Sequence, residues 1–87
     1  MPKFRKKPVV IEAQQFTEET KNQVFNWVTG NKYSSFDGEG KPTLIIETLE
    51  GNHTADVGDW VIKGVKGEFY PCKPEIFALT YEAVDAP

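Results

Sequence analysis

Two short constellations hold residue types able to do chemistry. One is His53-Thr54-Ala55-Asp56, which brings the only histidine near a carboxylate, and the other is Cys72-Lys73, which sets the only cysteine beside a cation. A histidine oriented by a carboxylate can act as a general base. A neighbouring lysine, helped by the start of a helix just beyond, can draw a thiol toward the nucleophilic thiolate. Both readings meet an obstacle in the local geometry. Side chains three apart on a strand point to opposite faces, so His53 and Asp56 are not partners, and His53 is expected to pack on a hairpin or face solvent. A nucleophilic cysteine needs a base and an oxyanion site, yet the only histidine belongs to a different predicted hairpin. Cys72 is therefore expected to be a small, partly buried structural residue.

The remaining polar residues form no recognisable site. Glu18 and Glu19 suit the positive end of a helix, while Glu47, Glu50, Asp56 and Asp59 fall on separate strands or turns without metal-ligand spacing. Asp37-Gly38-Glu39-Gly40 lacks the regular acidic spacing and distal glutamate of a calcium loop, and a solvated loop is expected there. Gly64 and Gly67 fit neither phosphate-cradling pattern and are expected to serve turns. One cysteine and one histidine are too few for a Cys/His zinc site, and no metal or cofactor is expected.

The densest candidate surface is the segment 60–73, where Lys63, Lys66 and Lys73 accompany Trp60, Phe69 and Tyr70. Lysines hold phosphates and aromatic faces stack on bases, so a nucleic-acid surface is one reading. The stretch KGVKGEFY departs from the RNA-recognition pattern at its first two aromatic positions, occupied by Val65 and Gly67, and it adds the negative Glu68. A chain this short needs its aromatics for a core, so Trp60 and Phe69 are expected to be packed. Lys63, Lys66, Tyr70 and Lys73 remain as the exposed binding candidates. The basic group from Lys3 to Lys7 could assist them, but a solvated arm is the stronger reading.

These residues must be positioned by a small number of elements. Alternation in VVIEAQQF predicts a strand over 9–16, with Val9, Ile11 and Ala13 on one face and Val10, Glu12, Gln14 and Phe16 on the other. Thr17 as N-cap, the acidic pair after it and Gly30 as terminator predict a helix over 18–29, whose Val24, Phe25, Trp27 and Val28 would cover a sheet. A short extended piece is placed at 33–36, before a polar loop at 37–42. Strands are expected over 43–49, 53–57, 60–65 and 68–72, joined by turns at Glu50-Gly51-Asn52, Gly58-Asp59 and Lys66-Gly67. Pro74 and Glu75 open a C-terminal helix whose apolar residues Ile76, Phe77, Thr80, Tyr81 and Val84 share a helical spacing, a final strand being the alternative.

Composition bounds the rest. Eighty-seven residues make one domain (1–87), with residues 1–8 as a flexible basic arm and 85–87 as a frayed end. A fold of this size buries only roughly two-thirds of its unfolded surface, so interior space is scarce. A formal charge of −3 supplies no global basic field, and no apolar run approaches membrane-spanning length. After the basic stretch only Pro8-Val9-Val10-Ile11 precedes Glu12, too short for a secretion signal, so a cytoplasmic location without membrane contact is expected.

The opening KKPVVIEAQQF, the TLEG at 48–51 and GDWVIKGVKGEFYPCKPEIFALTYE at 58–82 resemble a group of small proteins encoded by tailed bacteriophages and prophages. Members resemble one another in an opening K-P-V strand, a G-D-W turn, a G-E-F/Y-Y-P-C-K-P step and a closing F-x-x-x-Y-E. The segment 29–42 carries none of these motifs. The resemblance implies a phage accessory product acting in a bacterial cytoplasm, and it implies no activity and no catalytic residue.

The expected fold is α+β: an antiparallel meander of about four to six strands covered by one helix, with a short C-terminal helix closing an edge or end. The expected function is a non-enzymatic binding module contacting a host or phage protein. The alternative is a nucleic-acid-binding accessory protein using the lysine and aromatic hairpin; an enzyme built on Cys72 or His53 comes third. Homodimerisation through an exposed strand edge is open to so small a domain.

Overall fold

The computed structural model describes residues 2–4 and 9–84; most of the expected arm and all of the expected frayed end lie outside the described residues. Six strands and two helices are arranged in the order β1 (Glu12–Gln15), α1 (Lys21–Trp27), β2 (Lys32–Phe36), β3 (Pro42–Thr48), β4 (Gly51–Ala55), β5 (Trp60–Lys63), β6 (Phe69–Cys72) and α2 (Pro74–Thr80). The α+β class and the antiparallel pairing are as expected. The strands do not form one meander, however, but two three-stranded sheets ordered β1-β5-β6 and β2-β3-β4.

The division happens between β4 and β5, where only four residues intervene and a hairpin would be the simplest outcome. Asp56 to Asp59 instead form a turn closed by the Asp59 N–H donating to the Asp56 carbonyl at 3.0 Å, with Gly58 at φ +101°. Only glycine adopts that conformation without strain. The Gly58 N–H then donates to the Phe16 carbonyl at 2.7 Å, and the Phe16 N–H to the Asp59 carbonyl at 2.8 Å. The backbone of β5 is thereby delivered to β1 rather than to β4.

Register decides which side chains are buried. In the first sheet Glu12, Lys63 and Phe69 lie abreast, as do Gln14, Val61 and Pro71, so Val61 and Phe69 share a face. That face packs on Val24 of α1, on Val28 just after it and on Leu44, Ile46 and Ala55 of the second sheet, with Phe16 completing the core. Trp27 meets Phe69 edge-on, ring centroids 5.1 Å apart. The opposite face carries Ala13, Ile62 and Tyr70 in one row and Gln15, Trp60 and Cys72 in the next. Ile62 is only 1% exposed although it lies outside the main core, because α2 and the segment after it cover this face through Phe77 and Tyr81. The C-terminal helix thus overlies a sheet face rather than closing an edge, and it stops at Thr80, short of Val84.

Several element boundaries move inward from their predicted places, each for a local reason. The expected helix over 18–29 starts later because Thr17 and Thr20 tie off the chain first. Thr20 Oγ1 accepts from the Thr17 N–H at 2.9 Å, and Thr17 Oγ1 accepts from the Thr20 N–H at 3.1 Å. The single proton of the Thr20 hydroxyl goes to the Gln15 carbonyl at 2.6 Å, so Thr17 is the donor in the hydroxyl–hydroxyl contact. The helix ends at Trp27 because Val28 is extended, and Lys32 Nζ donates to the Phe25 and Val28 carbonyls while lying 4.6 Å from the Phe25 ring centre. A cation at a helix C-terminus answers both its orphan carbonyls and its negative dipole end. In the β3–β4 hairpin Thr48 pairs with Gly51, so the turn is Leu49-Glu50 rather than residues 50–52. The extent of β5 also shortens, since Gly64 donates to the Glu68 carbonyl and Val65 sits exposed in a loop.

Thr20→Val keeps shape while removing three hydrogen bonds at the β1–α1 junction. A loss of about 1–3 kcal/mol in urea denaturation is expected. A change near zero would mean that the junction is held by packing alone.

Candidate functional site

The candidate lysines and aromatics belong to the sheet β1-β5-β6 and its connections, and most of their chemistry is already engaged. Trp60, at the start of β5, stacks on Phe77 of α2 with centroids 4.3 Å apart and planes 6° from parallel. Phe69 is buried against Trp27. Lys63 Nζ stands 4.0 Å from Glu12 across the β1–β5 pair, at 6.0 Å from the Phe69 ring centre. Lys66 sits exposed on the loop between β5 and β6.

Lys73 occupies the position before α2, and its ammonium reaches Asp59 Oδ2 at 3.0 Å and Asp56 Oδ2 at 3.2 Å. Asp59 is 3% exposed, and its Oδ2 also accepts the Asp56 N–H at 2.9 Å. A buried carboxylate is tolerable only when paired in this way. Hydrogen bonds from Lys73 to Asp59, then to Asp56, raise the lysine pKa above its ordinary value. The ammonium is therefore a structural tie first.

This pairing also counts against the reading in which Lys73 activates Cys72, and the thiol is partly buried, as expected of a structural residue. Burial, then the charges of Asp59 and Glu75, push the Cys72 thiol up rather than down. Its Sγ contacts the Lys73 carbonyl at 3.6 Å. His53 lies abreast of Ile46 on β4, half-buried on the core-side face of the second sheet, while the nearby Asp56 carboxylate turns to Lys73. Among the described residues no three His, Cys, Asp or Glu side chains gather as metal ligands. In the β2–β3 loop Asp37 Oδ1 accepts the N–H groups of Glu39 and Lys41 at 2.8 and 3.0 Å. Those bonds, led by the one from Lys41, lower the pKa of Asp37.

Tyr70 is half-buried on the face under α2. Burial, the Tyr81 hydroxyl, the Tyr81 charge and Glu68 push its pKa up to about 12. Beside it an apolar groove of about 370 Å³ runs between residues 9–11, which lead into β1, and residues 81–84, which come after α2. Ala13 is at its floor, Trp60, Phe77 and Tyr81 form a wall, and Glu82 is its only carboxylate among the described residues. A second, more polar cleft of about 630 Å³ lies between the 29–31 turn, the β3–β4 hairpin and the β5–β6 loop, with Glu47 and Glu68 in its walls. Neither His53 nor Cys72 lines the groove or the cleft. Sequence reading did not anticipate the groove, although the apolar series Val9, Ile11, Ala13 was its visible half.

Among the described residues no helix is long and apolar enough to cross a membrane. Comparison of the chain with protein-family models, with curated proteins and with solved structures gives no match.

Three groups weaken the fold in alkali with the same sign. Tyr70 and Cys72 hold their protons in the folded state to higher pH than their ordinary 10.0 and 9.0, so the unfolded chain ionises first and stability falls as pH rises. The Lys73 contribution is complete below its ordinary 10.5 and is lost as pH rises through its higher folded value. Urea midpoints are expected to drop between about pH 9 and about pH 12, and Tyr70→Phe should flatten the upper part of that slope. A flat profile would contradict the raised phenol of the half-buried Tyr70.

Alkylation of Cys72 by iodoacetamide at neutral pH is expected to run slower than for an unperturbed thiol. A faster rate would restore the nucleophile.

Proposed function

We propose that this chain is a non-enzymatic binding module, a bacteriophage or prophage accessory protein that holds a host or phage protein in the bacterial cytoplasm through the outer side of α2. The observation that carries this reading is that α2 has no buried residue. Phe77 anchors it by stacking on Trp60, while Ile76 and Leu79, one turn apart, face outward at 53% and 89% exposure. A lone exposed leucine needs no explanation, but a helix that turns an i, i+3 apolar pair to solvent has the form of an element that docks in a partner's groove. The phage assignment rests on the resemblance carried by the opening KKPVVIEAQQF, the TLEG at 48–51 and the motifs at 58–82.

The enzyme reading loses support from the raised thiol of Cys72 and from the separate elements that hold Cys72 and His53. The nucleic-acid reading loses support from the stacked or buried faces of Trp60 and Phe69 and from the carboxylates beside Lys63 and Lys73. Of the four hairpin candidates, Lys66 keeps the freest charge, and Tyr70 and Lys73 adjoin the helix whose outer side is assigned to the partner.

Leu79→Asp and Ile76→Asp test the assignment. Each should reduce retention of a saturable partner from bacterial lysate by more than about tenfold, with circular dichroism and melting unchanged because neither side chain is buried. Loss of the partner on Lys63→Ala with Lys66→Ala, but not on Leu79→Asp, would move the surface to the hairpin. Absence of any saturable partner would remove the reading.

A further inference from the structure

The groove between residues 9–11 and 81–84 is separate from the outward side of α2, and we propose that it receives Phe4 from a second copy of this chain, in a symmetric dimer that exchanges N-terminal arms. Three features of the molecule lead there.

The first is the groove itself. Its walls are aromatic and aliphatic, it is floored by the small Ala13, and among the described residues its only carboxylate is Glu82. Val10 and Val84 at its rim are 76% and 67% exposed. The flanking segments are also unlike ordinary surface loops, because among the described residues no backbone hydrogen bond outside the helices and strands involves residues 9–11 or 82–84. An apolar trough bordered by two such extended margins suits a peptide bearing an apolar side chain.

The second is Phe4. It is 94% exposed and is not among the residues lining the groove. It stands between Lys3 and Arg5, and four of the ten Lys and Arg residues fall within 3–7. The rest of the chain then sets six cations against thirteen carboxylates, a formal −7 facing an arm of +4. Such opposed fields favour docking of the arm on a body of the same sequence, with Glu82 as the local acidic partner.

The third is topology. β1 is an edge strand, and Val9, five residues after Phe4, already lines the groove. Those five residues span at most roughly 18 Å when extended. Two copies meeting near their β1 edges can therefore each reach the other's groove, and a twofold axis fills both sites and leaves no open end. An aromatic side chain left in solvent by one copy then covers the apolar recess of the next.

Sedimentation velocity of the full chain over a concentration series tests this. Wild type should show a monomer–dimer equilibrium, and Phe4→Ala should weaken it by more than about tenfold without altering the fold of the monomer, since Phe4 touches little there. Glu82→Lys should weaken the dimer as well, and combining it with Lys3→Glu and Arg5→Glu should restore it. Added salt should lower the affinity of wild type more than that of the Glu82→Gln chain. A chain that stays monomeric throughout overturns the proposal, as does a dimer indifferent to Phe4→Ala. A concentration-independent change in Trp60 fluorescence on Phe4→Ala, in a monomer, would instead mean that the arm fills its own groove and would equally overturn the exchange.

Discussion

The buried Asp59 carboxylate joins the turn that leaves β4, the start of β5 and the residue before α2. It receives the Asp56 N–H, which closes the turn leaving β4, and the Lys73 ammonium, which stands between β6 and α2. Removing a carboxylate from water costs several kcal/mol unless its charge is answered, and the half-exposed lysine answers it while keeping part of its own hydration. Because the turn 56–59 is held closed, the chain crosses from one sheet to the other, and the Phe16 backbone finds partners at Gly58 and Asp59. The two sheets can then face one another across Val61, Phe69, Leu44 and Ile46. The same contact places the start of α2, so the second aromatic layer also depends on it.

That second layer explains why the aromatic-rich segment is mostly scaffold. In a small domain a three-stranded sheet has two faces and only one main core, so the outer face must be covered by the next segment of the chain. Trp60, Phe77 and Tyr81 do this by ring stacking rather than by close helix-on-sheet packing. Rings are wide enough to bury Ile62 from a helix that buries none of its own residues. The economy has a consequence at the margin, where small Ala13 and the segments 9–11 and 81–84 leave the apolar groove.

Much of the architecture was legible because local signals agreed. The β-branched run 43–48, the Gly and Asp punctuation at 58–59 and Pro74 before an acidic residue mark elements that the structure contains. Boundaries moved where two local signals competed. Leu49 has strand character and Gly51 turn character, yet pairing Leu44 with Ala55 and Ile46 with His53 makes Leu49 and Glu50 the turn. Thr17 has N-cap character, yet the reciprocal bonds with Thr20 delay the helix. Lys32 had no visible role, because a lysine capping a helix from the following strand leaves no periodic trace.

From the amino-acid order alone came the α+β class, the antiparallel strands, the turn glycines and the packing duty of Trp60 and Phe69, since each is a matter of spacing, propensity or composition within a short window. Only the tertiary structure decided that β5 pairs with β1, that Lys73 serves Asp59 instead of activating Cys72, and that α2 overlies a face and leaves a groove beside it. The physical reason is common to all three. A turn of four residues is compatible with either sheet, and a lysine is compatible with several partners. Long-range burial of one carboxylate and one aromatic stack selects among them.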